Sequence, residues 1–377
     1  MRIAILTMVF NNNYGGVLQA YALQTHLKKL GHETTLLYVQ KKKLSAYSLL
    51  MRTFKRILFK YVLQHKDIIS ISYLKEEKFI GQNFEYFINK CITPKTKPLY
   101  SGKDLSDIAQ KGFDAYIVGS DQVWRPKMYS YIDQAFFDFV KQPDAIKLSY
   151  APSFGVDEWE YTEEQTQRYK EQIKKFKAIS VRESSGVELC RNFFDIDALQ
   201  VLDPTLLLNT SDYKKMVEDE SIKKSDGNLL IYTLDNNIEK QKIVEKISGL
   251  FGYKPFYTNV KPKELAEKHE DRIYPSVFGW LKGFMDAEYV FTDSFHGCVF
   301  AILFNKPFLV FGNKRRGMAR FNSLLGIFNL EDRLIHSSEE ATVEKLSATF
   351  DWESINKVLE QRRGIANKFL TDNLHKA

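Results

Sequence analysis

The sequence predicts an α/β protein made of two Rossmann-like domains that face a cleft. Three observations lead to this prediction: strands alternate with helices, the alternation starts again in the second half, and polar motifs follow the strands. With 377 residues, the chain is too long for one ordinary α/β domain and suits two. Ligands of open α/β sheets bind beyond the carboxyl ends of strands, so the loops after strands are the candidate site.

The first half of the chain has the pattern of a doubly wound sheet. An apolar run at 2–8 predicts a buried strand, which leads into the polar loop 11–16. A helix is predicted over 17–30, because apolar residues recur on one face and Gly31 stands where a glycine ends helices. Further strands are predicted at 34–39, 113–118, 146–150 and 178–183, with a polar helix at 160–177.

The second half repeats this alternation without repeating the sequence. Strands are predicted at 229–234, 254–258, 289–292 and 307–311, and helices at 238–251, 278–285, 297–304 and 353–372. A domain boundary is expected between residues 175 and 225. The expected division is an N-terminal domain at 1–175, a C-terminal domain at 176–350, and a helical segment at 351–377 that packs back on the body.

Composition narrows the class of protein. Hydrophobic residues make up 44% and charged residues 27%, as in ordinary globular proteins. The three cysteines, Cys91, Cys190 and Cys298, form no CxxC and no cluster with histidine, which favours a reducing cytoplasm and argues against structural zinc. The first apolar run is too short for a signal peptide, and no run reaches the roughly 20 residues of a membrane span. The net charge of +7 favours anionic partners.

Residues 41–66, here called the basic arm, differ from their surroundings. They contain eight lysines and arginines and no Asp or Glu. Leu50, Phe54, Leu58 and Val62 recur at four-residue spacing, which predicts a basic amphipathic helix. In one interpretation this helix lies on an anionic bilayer; in the other its apolar side packs on the body of the protein. The two are compatible if the arm is only partly covered.

The most informative motif is Thr292-Asp293-Ser294-Phe295-His296-Gly297, which joins a predicted strand to a predicted helix. Free amides at a helix N-terminus favour anions, and a histidine there can donate to a phosphate or carry a proton near neutral pH. The alternative is structural: Asp293 or Ser294 caps the helix and His296 is a satisfied, semi-buried side chain. The other histidines form no HExxH or similar metal motif.

Two more strands end in polar residues. Arg182 can hold a carboxylate or phosphate with two hydrogen bonds, or can pair with Glu183. Ser120 and Asp121 follow the strand at 113–118, but the segment is not GxSxG, so Ser120 is not expected to be a hydrolase nucleophile. Asp121 is a candidate base or hydroxyl-binding group.

The loop Asn13-Tyr14-Gly15-Gly16 can present backbone amides to a ligand, or its glycines can simply permit a tight turn. It is not GxGxxG and lacks the acidic residue of a ribose clamp, which weakens a nicotinamide-cofactor interpretation. Arg315, Arg316 and Arg320 follow the strand at 307–311, where a phosphate-bearing donor would lie. A solvated basic loop is the alternative.

Taken together, these segments resemble the polysaccharide pyruvyl transferase family. The matching pieces, in the expected order, are 13–20, 113–124, 149–155, 180–183, 201–205 and 292–297. The resemblance implies a glycosyltransferase-B-like fold with the acceptor on the N-terminal side and the donor on the C-terminal side. It implies phosphoenolpyruvate as co-substrate, no other cofactor, and a sugar of a cell-surface, capsular or exopolysaccharide glycan as acceptor.

The resemblance also implies roles for individual residues. His296 matches the family's histidine and is expected to be general acid and phosphate contact. Arg182 is expected to hold the donor's carboxylate or phosphate, and Asp121 or Asp293 to accept the hydroxyl proton. The expected binding residues are Asn13, Tyr14, Gly15, Gly16, Ser120, Ser294, Gly297, Arg315, Arg316 and Arg320, with no metal.

One departure concerns the donor. Several family members carry an arginine two residues before the histidine, where this chain has Ser294. Either Arg315, Arg316 or Arg320 supplies the cation, or the donor differs. The alternative functions are a nucleotide-sugar-dependent glycosyltransferase of the same fold and a non-catalytic glycan- or anion-binding protein. Nucleic-acid binding is not expected, because no RRM, KH or helix-turn-helix signature is present. Glycan acceptors are often built on lipid carriers, so peripheral docking at the inner membrane face is a further hypothesis.

Overall fold

The computed structural model describes residues 1–42, 44–62, 70, 72–261, 268–312 and 317–375. In the first half, six strands of this described part form one parallel sheet: β1 Arg2–Leu6, β2 Glu33–Leu36, β3 Ala115–Val118, β4 Ile146–Ser149, β5 Ala178–Val181 and β6 Leu199–Gln200. The strand order is β2-β1-β3-β4-β5-β6. All residues of β3 are buried, as expected for a parallel sheet covered on both faces.

The helices of this half are α1 Tyr14–Lys29, α2 Ala46–Ile57, α3 Tyr73–Ile80, α4 Gln82–Cys91, α5 Gly102–Ala109, α6 Ile132–Ala135, α7 Glu163–Ile173 and α8 Ser184–Leu189. α2 continues into a π-helical turn, Leu58–Val62. Part of the basic arm, residue 43 and residues 63–66, lies outside the described residues. None of the described helices is both long and apolar enough to cross a membrane.

A second parallel sheet follows, with five strands in the described part of the chain: β7 Leu229–Tyr232, β8 Pro255–Tyr257, β9 Tyr289–Thr292, β10 Phe308–Phe311 and β11 Leu334–Ile335. Its order is β8-β7-β9-β10-β11. The helices are α9 Thr210–Glu218, α10 Ile238–Phe251, α11 Val277–Asp286, α12 Phe295–Leu303, α13 Ala319–Ile327, α14 Val343–Ser347 and α15 Trp352–Asn373. Two Rossmann-like units therefore make up the chain, which confirms the predicted fold class.

Both sheets have the same topology, although the sequence shows no repeat. In each half the second strand along the chain pairs with one edge of the first strand, and the third strand pairs with the other edge of the first. This places a switch point between β1 and β3 and another between β7 and β9. Ligands of doubly wound sheets bind in the crevice that opens at the carboxyl ends of strands at such a point. The loops after these four strands are therefore the ones that form the site.

The division between the sheets lies later than residue 175. β5 pairs with β4, with Ala178 opposite Leu148, and β6 pairs with β5. Both strands therefore belong to the first sheet, and the division falls between Gln200 and Leu229. This transition overlaps the expected boundary range of 175–225, whereas a limit at residue 175 would separate β5 and β6 from the sheet in which they pair. At the C-terminus, α15 lies on the first half, where Arg363 donates to the carbonyls of Leu206 and Leu208 at 2.6 Å each.

Helix α1 begins three residues earlier than the predicted Val17. Asn13 is its N-cap: the residue is extended, and its side-chain oxygen accepts the Gly16 N–H at 3.3 Å. An asparagine cap satisfies an amide that would otherwise have no partner at the helix start. Gly15 and Gly16 consequently lie in the first turn of α1 and not in a loop.

Candidate active site

A cleft of about 490 Å³ opens between the two sheets, at both switch points. Its lining comes from the loop after β1, the loop after β3, the loops after β7, β8 and β9, and the start of α13: Asn12, Asn13, Tyr14, Asp121, Gln122, Arg125, Met128, Tyr232, Leu234, Asn259, Val260, Tyr274, Asp293, Ser294, Phe295, His296, Arg320 and Phe321. The two halves therefore build one shared site, as expected from the fold.

His296 is the second residue of α12 and lines this cleft. Ser294 is the N-cap, and its hydroxyl accepts the Gly297 N–H at 3.4 Å. The buried Nε2 of His296 lies 3.5 Å from Oδ2 of Asp203, a residue of the first half. The helix start and the histidine therefore face the cleft together, with a carboxylate behind the ring.

Gly15 packs directly against the imidazole of His296. A Cβ atom added at Gly15 would lie 1.9 Å from Nδ1 of His296, far inside van der Waals contact. The glycine pair of the sequence motif is thus explained by the close approach of α1 to the histidine ring. Gly297 serves a similar purpose, since its Cβ would lie 2.2 Å from Oγ1 of Thr292.

Asp203 is the functional candidate that the sequence analysis missed. It is 1% exposed, and its Oδ2 accepts hydrogen bonds from Arg182 Nη1 at 2.8 Å and Ser120 Oγ at 3.2 Å. Oδ1 accepts the amide and hydroxyl of Thr205 at 3.0 and 2.8 Å. The available signal was Asp203-Pro204-Thr205 after a strand, because Asp followed by Pro marks a helical start.

The structure strongly favours the ionised form of Asp203 over the protonated form. Burial by itself would raise the pKa of this carboxyl, but hydrogen bonding to His296 and the positive charges of His296 and Arg182 outweigh it. The pKa of Asp203 is therefore held well below its ordinary value. A carboxylate fixed in this way orients the ring of His296.

Arg182 lies one layer behind the cleft. It is 4% exposed and is not found among the described residues that line the cleft; the ring of Phe295 covers it, 4.3 Å from the guanidinium carbon. Its partners are Asp203 and, at 3.8 Å, Oδ1 of Asp121. Burial lowers the pKa of Arg182, but the negative charges of Asp203, Asp121 and Glu183 outweigh this effect and raise the pKa above its ordinary value. The side chain is therefore a permanent cation. In this placement the guanidinium bonds to Asp203 from behind the cleft wall.

The two polar residues of the loop after β3, Ser120 and Asp121, lie in different surroundings. Ser120 is fully buried in the network of Asp203 and Arg182, away from the cleft. Asp121 lines the cleft and has a left-handed backbone, with φ 69°. Such a conformation is unfavourable for a residue with a Cβ and is found at functional sites more often than elsewhere. The carboxylate accepts the Gln122 N–H at 2.9 Å through Oδ1.

Asp293 has both oxygens engaged. Oδ1 accepts the Leu234 N–H at 2.7 Å, and Oδ2 accepts from Nζ of Lys240 at 2.6 Å. Lys240 is 2% exposed and also bonds to Asp235. The ion pair ties the loop after β9 to the first turn of α10, and the Leu234 amide ties it to the loop after β7, so both hold the start of α12 in place. Of the two aspartates expected to act as base, Asp121 is the better placed.

Of the other predicted binding residues, three line the cleft and two lie outside the described residues. Tyr14 and Asn13 line the cleft; Tyr14 also stacks on Trp280 at 5.3 Å and donates to the Pro275 carbonyl at 2.9 Å, so it connects the halves. Arg320 lines the cleft, and burial, followed by repulsion from Arg182, lowers its pKa to about 10. Arg315 and Arg316 lie outside the described residues. Arg125, not predicted, also lines the cleft and forms an ion pair with Glu160 at 3.0 Å.

The described residues contain no group of three or more His, Cys, Asp or Glu side chains arranged to hold a metal ion. What they do bring together is an imidazole backed by a carboxylate, a helix N-terminus and the Arg320 cation. This combination suits proton transfer to an anionic substrate.

Comparison with known proteins gives a family and a fold. The family model described as "Polysaccharide pyruvyl transferase" matches residues 13–315. No curated protein matches the sequence. Arabidopsis thaliana UGT89C1 complexed with UDP-L-rhamnose shares 9% identity over 99% of both chains, with a TM-score of 0.51. S. aureus MnaA in a co-structure with UDP shares 14% identity over 98% of this chain and 96% of its own, with a TM-score of 0.51. Identities this low establish only the fold, that of GT-B glycosyltransferases and related epimerases.

Proposed function

Because the chain belongs to the polysaccharide pyruvyl transferase family, we propose that it transfers pyruvate from phosphoenolpyruvate to two hydroxyls of a glycan sugar, as a ketal. The family and the fold make the protein a transferase with a glycan acceptor. The observation that carries the finer proposal is His296 at the cleft wall with Asp203 behind it. The acceptor would be a sugar of a cell-surface, capsular or exopolysaccharide glycan.

The proposed reaction balances without a redox partner. A proton adds to the methylene carbon of phosphoenolpyruvate, and the central carbon becomes electrophilic. A sugar hydroxyl attacks that carbon and loses its proton. The bond from carbon to the phosphate oxygen then breaks, phosphate leaves with the electron pair, and the second hydroxyl closes the ketal while losing its own proton. The site must therefore supply one acid, accept protons and stabilise an anionic donor.

His296 is the proposed acid. Its Nε2 faces Asp203, so Nδ1 is the nitrogen left to deliver a proton. Nδ1 lies beside Gly15, which has no side chain that would displace the ring. Asp203 holds the ring orientation, as carboxylates behind catalytic histidines do.

The anionic donor is proposed to bind at the start of α12. The N-terminus of α12 and Arg320 provide positive potential in a partly buried cleft, where such charges act more strongly than in water. Arg320 thereby takes the place of the family arginine that is replaced by Ser294. Arg182 contributes its charge through Asp203 and Asp121, and Asp121 is the proposed acceptor of the hydroxyl proton.

Replacing Gly15 with alanine is expected to lower kcat by about 10²-fold, because the methyl group would displace the imidazole and small misplacements of catalytic groups are that costly. The measurement is phosphate release from phosphoenolpyruvate in the presence of acceptor sugars. Gly249→Ala, at a helical glycine with nothing within 4 Å of its added Cβ, is the matched control. Equal turnover of Gly15→Ala and wild type would rule out a catalytic need for this contact.

The direct test of the donor is thermal unfolding with phosphoenolpyruvate beside a panel of nucleotide sugars, on wild type and His296→Ala. A ligand that binds only the folded protein raises Tm, and the rise grows with the logarithm of the ligand concentration above its Kd. We expect a rise of several degrees with phosphoenolpyruvate, reduced in His296→Ala, and none with nucleotide sugars.

A Tm rise with nucleotide sugars and none with phosphoenolpyruvate would contradict phosphoenolpyruvate as the donor. Stabilisation by a uridine diphosphate sugar alone would favour a nucleotide-sugar-dependent glycosyltransferase, the activity suggested by the ligands of UGT89C1 and MnaA. Binding of phosphoenolpyruvate without phosphate release for any acceptor would favour a non-catalytic anion-binding protein.

A further inference from the structure

The apolar face of α2 points to solvent. Tyr47, Leu50 and Phe54 are 71%, 67% and 64% exposed, and none of the residues of α2 is buried. The same face continues through the π-helical turn after α2, where Leu58 and Tyr61 are exposed. An apolar stripe of this length normally faces the core of a protein, so its exposure marks a surface that binds something.

The polar side of α2 is the one that contacts the rest of the protein. Arg56 forms an ion pair with the buried carboxylate of Glu76 and donates to the Ser70 carbonyl at 2.9 Å. The guanidinium of Arg52 lies over the ring of Tyr73, 4.7 Å from its centroid. The helix is therefore held by cations on its inner side, and this attachment turns the apolar face outward.

We propose that α2 and the π-helical turn dock this face into the surface of an anionic lipid bilayer. Lys41, Lys42 and Lys55 of the same segment are also exposed, and no acidic residue occurs anywhere in the basic arm. Apolar side chains flanked by cations enter the region between head groups and acyl chains, where the cations meet lipid phosphates. A second copy of the chain fits less well, because pairing the two faces would bring cations against cations.

The attachment of α2 also sets where the bilayer would lie. Glu76, which holds Arg56, also accepts from Arg272 of the second half at 3.3 Å. The amide of Tyr274, a cleft residue, donates to the Ile80 carbonyl at the end of α3 at 3.0 Å. The docking face is thus tied to the rim of the cleft, and a glycan acceptor carried on a lipid would be presented beside it. Bilayer binding itself does not depend on the identity of the donor.

The test is flotation of the full chain with vesicles of phosphatidylglycerol and phosphatidylcholine in equal parts, beside pure phosphatidylcholine vesicles. Wild type is expected to float with the anionic vesicles at low salt and to be released at high salt. The exposed double variant Leu50→Gln/Phe54→Gln is expected to lower the partition coefficient by at least about tenfold. Ile238→Gln/Val343→Gln, which replaces two apolar residues 70% and 59% exposed elsewhere, is the matched control and should float like wild type.

Three results would overturn the proposal. The first is wild type that stays in solution with anionic vesicles at low salt. The second is equal flotation of Leu50→Gln/Phe54→Gln and wild type. The third is a concentration-dependent dimer in analytical ultracentrifugation that the same double variant abolishes, without vesicle binding, which would assign the face to a second copy. Circular dichroism and thermal unfolding of the variants establish that they are folded.

Discussion

Replacing His296 with glutamine is expected to lower kcat by about 10²–10⁴-fold, the range by which a positioned general acid accelerates a reaction. Glutamine occupies similar space and can still donate a hydrogen bond to a phosphate, but it cannot deliver a proton. The loss should therefore fall on kcat, while KM for phosphoenolpyruvate changes little. The measurement is steady-state phosphate release with a panel of hexosides whose hydroxyl pairs can close a five- or six-membered ketal ring.

His269→Gln is the matched control, because His269 is an exposed histidine of a short 3₁₀ turn outside the cleft. Its kinetic constants should equal those of wild type. If His296→Gln kept its kcat and raised only KM, His296 would be a binding group and the acid would have to be sought elsewhere in the cleft. Retention of both constants would remove His296 from the proposed mechanism.

Replacing Asp203 with asparagine is expected to reduce the free energy of unfolding by about 3–5 kcal/mol, because the variant leaves the buried Arg182 without its closest carboxylate. It should also lower kcat, since the ring of His296 loses the carboxylate that orients it. Urea unfolding at neutral pH gives the stability change. Phosphate release by protein that circular dichroism shows to be folded gives the catalytic one.

The stability difference between wild type and Asp203→Asn should depend on pH in a definite direction. The pKa of Asp203 is held below its ordinary value in the folded state, so its contribution is fully present above the pKa of an unfolded aspartate, about 4. Below that pH the unfolded chain binds a proton that the folded chain does not. The difference should therefore be constant between about pH 5 and 8 and shrink by about 1.4 kcal/mol per pH unit below about pH 4.

Asp372→Asn provides the contrast. Asp372 forms a surface ion pair with Lys368 at 2.7 Å and is 54% exposed, and pairs of this kind contribute at most about 1 kcal/mol. A loss of less than about 1 kcal/mol for Asp203→Asn, without pH dependence, would mean that Arg182 finds sufficient compensation in Asp121 and Glu183. The orienting role of Asp203 would then rest on kinetics alone.

The regular elements were predictable because their signals are local. The helix at 238–251 and the strand at 289–292 have the same bounds in the sequence analysis and in the structure. In both segments apolar periodicity, capping residues and flanking loops indicate the same element, so nothing distant was needed. The family resemblance, drawn from six short motifs, is likewise confirmed by the match over 13–315.

The sequence was less informative where distant residues decide the outcome. The boundary was expected between residues 175 and 225, and only the pairing of β5 with β4, which no local pattern encodes, shows that β5 belongs to the first sheet. The family resemblance assigns Arg182 to the carboxylate or phosphate of the donor. Local sequence does not show that the ring of Phe295, far along the chain, lies over its guanidinium. The basic arm was predicted to be amphipathic, yet which of its faces is outward depends on Glu76.

The sequence by itself determined the fold class, the family and the residues that meet at the strand ends, including His296, because periodicity and motif order are properties of neighbouring residues. Only the tertiary structure decided that Asp203 lies behind His296, that Gly15 must lack a side chain, and that Asp293 is tied to Lys240. Each of these contacts joins residues more than 50 positions apart in the chain. Their geometry follows from how two sheets with the same topology face each other. Because the contacting groups are buried there, their neighbours set the charge of the carboxylates and the orientation of the side chains.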